Sequence, residues 1–172
     1  MAATDRAKLI KADTKECITI AIFQLLENES LSMLTISKVC KRAGVSRTAF
    51  YRNFHGLEEV LYEHFEPKIS SVFEIISKEH DKSVKFKKKA KFFEEFSEEF
   101  LLSANRGFEF IIEKIFINEM EKYYSNIPDK YISTFMSAGV YALWRKWILD
   151  GHRKSLTEIH SLLQKIDSSL SL

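Results

Sequence analysis

The sequence predicts an all-α protein in two parts, a unit of three short helices followed by a larger helical domain. Three observations carry this reading. Only 5 Gly and 2 Pro occur in 172 residues, too little turn chemistry for a β-fold. Apolar residues recur three and four apart along every long segment, which is the helical period. Hydrophobic residues make up 45% of the chain, with 14 Phe, so disorder is excluded and a large aromatic interior is expected. The length suffices for one large domain or two small ones, and the division is expected at 1–62 and 63–172.

Taken in order, residues 1–12 read as a loosely held arm of mixed charge. Asp13 and Glu16 form a candidate cap for a first helix, on which Ile18, Ala21, Ile22, Leu25 and Leu26 make an apolar stripe through about Asn28. Cys17 and Cys40 both fall at apolar-face positions and read as small core residues rather than redox groups. A second helix is expected from Thr35 to Ala43, with Ile36, Val39 and Cys40 on one face. Gly44 supplies the positive φ that ends it, and Ser46 caps a third helix from Arg47 to Phe54. There Ala49, Phe50 and Phe54 face inward, leaving Arg47, Thr48, Tyr51 and Arg52 outward. Helix, tight turn and helix of these lengths make a helix-turn-helix unit.

Charge sharpens that reading. Net charge is only +2, but between Ser30 and Leu57 lie Lys38, Lys41, Arg42, Arg47 and Arg52 and no acidic residue. A basic stretch on a compact two-helix unit is the footprint expected for a DNA phosphate backbone, although charge alone fits a solvated helical hairpin equally well. The residues decide it. Ala43-Gly44-Val45-Ser46, Phe50-Tyr51 and Phe54, followed by Glu58-Glu59-Val60-Leu61, resemble the DNA-binding domain of TetR/AcrR-family transcriptional regulators, over roughly Ile18 to Leu61. Two positions depart from that pattern. Leu57 stands where the family usually has a phosphate-touching Lys, and Ala49 stands where many members have Thr.

After the His55-Gly56 turn, a fourth helix starts at Leu57 and carries Val60, Leu61, His64 and Phe65. Pro67 predicts a kink or break near Glu66, before the pattern resumes at Ile69, Val72, Phe73 and Ile76. In the family this helix links the two parts, which makes Pro67 a candidate hinge, with a simple packing kink as the alternative. Lys82, Lys85, Lys87, Lys88, Lys89 and Lys91 read as a solvated face rather than a second DNA patch, because Phe86, Ala90, Phe93, Phe96 or Ser97, and Phe100 trace a buried side. Those early lysines and the later Glu94, Glu95, Glu98 and Glu99 oppose the helix dipole, with no local compensation in the sequence. Asn105-Arg106-Gly107 is a turn, and Phe108, Ile111, Ile112, Ile115, Phe116, Met120 and Tyr123 mark the next helix. Ser125-Asn126-Ile127-Pro128 breaks the chain before a long helix to Asp150, closed by Gly151. Ser155 and Glu158 form a capping box for a last helix with Leu156, Ile159, Leu162, Leu163, Ile166 and Leu170. From Phe135 through Gly139, Trp147, Gly151, Ser155 and Ile159 this tail is similar to the C-terminal segment of a subset of the same regulators. In the family, the last two helices pair with their symmetry mates in a four-helix dimer interface.

No enzymatic signature accompanies this. The pairs Glu94/Glu98 and Glu95/Glu99 lie on a polar helix face and read as solvated charges. His55, His64, His80, His152 and His160 include no pair at metal-ligand spacing, and no nucleophile elbow, phosphate loop or dinucleotide fingerprint occurs. No cofactor is expected. The start MAATDRAKLI has no apolar signal core and no run reaches the ~20 apolar residues of a membrane span, so a cytoplasmic location is expected.

The resulting expectation is a DNA-binding transcriptional regulator, a repressor that binds a palindromic operator as a homodimer and is released by a small effector. Lys38, Lys41, Arg42, Ser46, Arg47, Thr48, Tyr51, Arg52 and His55 are the candidate DNA-binding residues. Small residues Ser137, Ala138, Gly139 and Ala142, with Trp144, Trp147, Leu162, Leu163 and Ile166, are the candidate dimer face, with plain intramolecular core as the alternative for the same apolar area. Phe65, Phe73, Phe93, Phe96, Phe116, Tyr123 and Phe135 are the candidate lining of an effector pocket, for an apolar or aromatic molecule, with a filled core and no pocket as the alternative; His64 is a further candidate, or a satisfied core histidine. The alternative is a helical regulator acting through a protein partner as coactivator, with DNA binding weakened by Leu57.

Overall fold

Eight α-helices account for about four fifths of residues 2–169, the part of the chain that the computed structural model describes; among them there is no strand. The helices are α1 (Ala2–Leu26), α2 (Ile36–Ala43), α3 (Arg47–Tyr51), α4 (Leu57–Ser77), α5 (Lys82–Arg106), α6 (Glu109–Tyr123), α7 (Lys130–Leu149) and α8 (Leu156–Ser169). The chain forms two compact units: Met1–Lys68 with Leu102–Ile115, and Ile69–Leu101 with Phe116–Leu172. No helix among the described residues is long and apolar enough to cross a membrane. Leu170, expected on the last helix, lies outside the described residues.

In the first unit, α1 packs on α2 and α3 through Ile18, Ala21, Ile22 and Leu26, against Val39, Cys40, Phe50 and Phe54, all buried. Three expectations fail on α1. Residues 2–12 are helical rather than a loose arm, because nothing in Ala-Ala-Thr-Asp-Arg-Ala-Lys-Leu breaks a helix and Ala, Lys and Leu are strong helix formers. Asp13 therefore sits inside the helix and caps nothing. Cys17 is exposed while Cys40 is buried; one position before Ile18, Cys17 is turned about 100° off the buried stripe. Burial pushes the Cys40 thiol up from its ordinary range, with the charge of Arg47 opposing. At the far end of α1, the Arg106 guanidinium donates to the Glu27 carbonyl, a cation placed against the negative end of a helix. Phe65 completes this core between Phe23 and Phe108. His64 packs its ring at 4.6 Å from that of Phe23.

Helix α4 runs through Pro67 without a break. Proline removes one backbone hydrogen bond there, and the buried side chains on either side, Phe65 and Ile69, keep the helical register.

The second unit has an aromatic interior. Phe93 stacks between Phe116 (5.4 Å) and Trp144 (4.1 Å), and Phe73 and Phe96 meet Phe116 edge-on. Asp81 caps α5 by accepting the N–H groups of Ser83 (2.8 Å) and Val84 (3.0 Å), a cap the sequence reading missed. The lysines that oppose the α5 dipole do find partners: Lys88 pairs with Glu79 at 2.8 Å, and Lys89 lies 4.6 Å from the Tyr123 ring centre. Three helices close alike. Gly44, Gly107 and Gly151 all take positive φ, and the next residue's N–H reaches back to Cys40, Ser103 and Trp147 respectively, the 6→1 bond of a Schellman motif. After the last of these, the His152 ring stacks on Trp147 at 3.9 Å and the Trp147 indole donates to the Lys154 carbonyl at 2.8 Å. Ser155 and Glu158 then form the expected reciprocal box, N–H to carboxylate at 2.8 Å and N–H to hydroxyl at 3.3 Å.

Candidate nucleic-acid interface

The geometry of α2, turn and α3 follows from three local devices. Thr35 accepts the Lys38 N–H (3.2 Å) and starts α2; Gly44 at φ +68° stops it; Ser46 accepts the Ala49 N–H (3.0 Å) and starts α3. Helix α3 ends at Tyr51, earlier than Phe54, but the chain keeps turning: the Phe54 N–H still bonds to the Phe50 carbonyl at 2.9 Å. That extra turn delivers Phe54 into the core beside Phe50, 5.9 Å ring to ring.

All nine candidate DNA-binding residues are exposed. Arg47, Thr48, Tyr51 and Arg52 share the outward side of α3, above the buried Phe50. Tyr51 stands edge-on to Phe50 at 5.7 Å, which fixes its ring while 48% of the residue stays accessible.

Not all of these groups are equally available. Lys38 is ion-paired with Glu29, the acidic residue just outside the acid-free stretch. Arg42 donates through Nε to the Gln24 side chain on α1 at 2.7 Å, which holds it to the first helix and leaves its terminal nitrogens for other acceptors. Ser46 spends its hydroxyl oxygen on the α3 cap, and the His55 N–H is taken by the Glu59 carboxylate. Glu29 and Gln24 have no place in the sequence pattern, and Glu59 enters it only as part of the Glu58-Glu59-Val60-Leu61 start of the fourth helix. Glu59, four residues after His55, carried a local signal for its role; the other two act across the fold and carried none.

The remaining candidates divide. On α7, Tyr131, Phe135, Ala138, Gly139 and Ala142 lie on one exposed stripe, with Phe135 61% accessible. Leu162 and Ile166 are exposed on α8, Leu163 partly so. Ser137, Trp144 and Trp147, expected on a dimer face, are instead buried inside the second unit; each lies on the side of α7 that carries Val140 and Ile148. A cleft of about 420 Å³ opens beside this stripe, with Ala142, Trp147, Ile159 and Leu162 in its walls. Among the candidate pocket residues, Phe73, Phe93, Phe96 and Phe116 meet ring on ring, Phe65 belongs to the first unit's core, and Phe135 is on the surface. Tyr123 lines a second cleft of about 430 Å³ in the second unit.

No protein-family model matches the chain, and no curated protein matches it.

Proposed function

We propose that this protein is a DNA-binding transcriptional regulator of the TetR/AcrR kind that its helix-turn-helix resembles. It acts as a repressor that binds a palindromic operator as a homodimer and leaves it when a small effector binds. The observation that carries the reading is the α2–turn–α3 unit: capped at both helix starts, closed by a left-handed glycine, apolar beneath and basic above. Arg47 and Thr48, in the first turn of α3, are the base readers, since the N-terminal residues of a recognition helix reach base edges. Lys41, Tyr51 and Arg52 contact phosphates, which fix register without reading sequence. One such unit reads few base pairs, so the site is palindromic and the protein dimeric. The apolar stripe of α7 with Leu162 and Ile166 of α8 supports the pairing surface. An effector acts by favouring one spacing of the two readers.

The test is a mobility-shift titration of the purified chain against the DNA flanking its own gene, with a scrambled duplex as control. Preference for one palindromic segment by ~10³ or more over the control is the result expected of a specific regulator. Equal, salt-sensitive binding to both duplexes, or none, would overturn the reading. The occupied state of Lys38 and the absence of a lysine at Leu57 weaken the phosphate grip, and these features favour the partner-protein alternative; a pull-down with no operator preference would point there.

A further inference from the structure

On the outward side of α7, Tyr131, Phe135, Ala138 and Ala142 follow at intervals of four, three and four residues, and Lys146 and Leu149 continue the row. That alternation is the seam of a helix pair. The row is uneven along its length. Exposed aromatic side chains stand at its N-terminal end, and small residues with Gly139 lie in the middle. At its C-terminal end opens the cleft of about 420 Å³, walled by Ala142, Leu143, Lys146 and Trp147 of α7 and by Ile159 and Leu162 of α8. The aromatic knob and the hole share one helix face. Phe135 lies about three turns before Lys146, ~16 Å along the axis, so the two cannot meet within one chain.

Between two copies they can. In a two-fold pair every contact is reciprocal. Suppose α7 crosses a second α7 antiparallel, with Ala138 set against Ala142 of the partner subunit, where small side chains let the axes approach. Each step back along one helix is then a step forward along the other. Phe135, three residues before Ala138, falls three residues beyond the partner's Ala142, beside the partner's Lys146 and over its cleft. A parallel pair would set Phe135 on the partner's Phe135 and leave both clefts open.

Charge agrees with the antiparallel direction. At the cleft end, Lys146 lies 3.0 Å from Asp150 and Lys154 lies 3.8 Å from Glu158. Arg153, also in the cleft wall, makes no ion pair among the described residues. The opposite end of α7 starts at the exposed Asp129, which the antiparallel register carries toward the partner's Arg153. A parallel register brings like ends together instead.

We propose that Phe135 of each chain inserts into the α7–α8 cleft of a second copy, in an antiparallel pair whose two-fold axis passes beside Gly139. This deepens the homodimer reading above and rests on it.

Cysteine cross-linking tests the register, in a background where Cys17, the exposed native thiol, is replaced by Ser. Phe135→Cys/Lys146→Cys should form a covalent dimer on mild oxidation, and neither single variant should. In this register, position 135 and position 146 each lie ~15 Å or more from their own symmetry mate, beyond the ~7 Å that a disulfide spans between Cα atoms. Sedimentation equilibrium supplies the energetic arm. Phe135→Ala should raise the dimer dissociation constant at least about tenfold, as expected of an aromatic anchor in a pocket. Phe110→Ala removes an exposed aromatic from α6, outside the row, and should leave the constant within about twofold. Three results would overturn the insertion while leaving the dimer standing: cross-linking of Phe135→Cys alone, a double variant that sediments as a dimer yet does not cross-link, or an undiminished dimer in Phe135→Ala. A natural chain that stays monomeric at every concentration would instead remove the homodimer reading, and this inference with it.

Discussion

The outward side of α3 and the outward side of α7 are both exposed helix surfaces, built on opposite plans. On α3, charge and hydroxyl groups stand over an apolar floor, and Arg47, Thr48, Tyr51 and Arg52 are at home in water. On α7, Tyr131 is 88% and Phe135 61% accessible, spaced one turn apart, with small residues following at Ala138, Gly139 and Ala142. The first surface gains from a charged partner but does not need one to be soluble. A contiguous apolar surface does need cover, since soluble proteins seldom leave such patches open. The difference teaches that the two halves of the proposed function have different chemistry: association with DNA that salt weakens, and association between copies that salt leaves alone or strengthens.

The sharpest way to break this comparison is Gly139→Arg. A Cβ at Gly139 meets nothing within 4 Å, and replacing a mid-helix glycine raises helix propensity by a few tenths to ~1 kcal/mol. The isolated chain should therefore keep its fold, while a paired α7 face should not close. Sedimentation is expected to show folded monomers and operator affinity to fall by on the order of a hundredfold or more, as the two half-sites lose their linkage. A dimer that survives would put the pairing surface elsewhere.

Next in size, Arg47→Ala should cost roughly 1–3 kcal/mol at one base position. Competition with single-base operator variants measures it. An equal loss on every duplex would make Arg47 a phosphate contact instead.

Leu57→Lys should act in the other direction. It adds a cation at the start of α4, so binding should strengthen and the slope of log K against log salt should steepen by about 0.9 for one new phosphate contact. An unchanged slope would mean that position 57 does not face the backbone.

The smallest effect concerns the cap of α8. The Glu158 carboxylate is held below its ordinary range, chiefly by the Ser155 N–H and then by the Ser155 hydroxyl. A depressed carboxylate stabilises above the ordinary range and loses that contribution as pH falls through its lowered value. Acidification should therefore loosen the start of α8 in the native protein. In Glu158→Gln the box persists without a titrating group, so amide exchange at residues 156–158 should lose that acid dependence.

These predictions rest on features of unequal legibility. Gly44, Ser46, Gly151 and the Ser155–Glu158 box could be read directly, because each works within a few residues of itself; the Thr35 cap is equally local, but the expected helix takes Thr35 as its first residue. The all-helical architecture was legible for the same reason: periodicity is local. The Asp81 cap is equally local, but within so highly charged a stretch one more carboxylate does not stand out as a helix start. What escaped is what folding brings together. Glu29 taking up Lys38, Gln24 holding Arg42, and the cleft that joins α5 to α7 and α8 depend on residues far apart in sequence. The burial of Trp144 and Trp147 escaped because both their side of α7 and the opposite one are apolar, so composition could not say which side faces inward.

The position of those two tryptophans has a practical consequence. They are the protein's only 2 Trp, both on α7 in the second unit, one stacked on Phe93 and the other under His152. The first unit is therefore dark in tryptophan fluorescence, whereas far-ultraviolet circular dichroism sees the helices of both. Heating the protein while recording both signals compares one unit with the whole. Coincident transitions would mean that the two units melt as a single cooperative body. A fluorescence change displaced from the dichroism change would mean that the reader and the rest of the chain carry separate stabilities, resolved without adding a label.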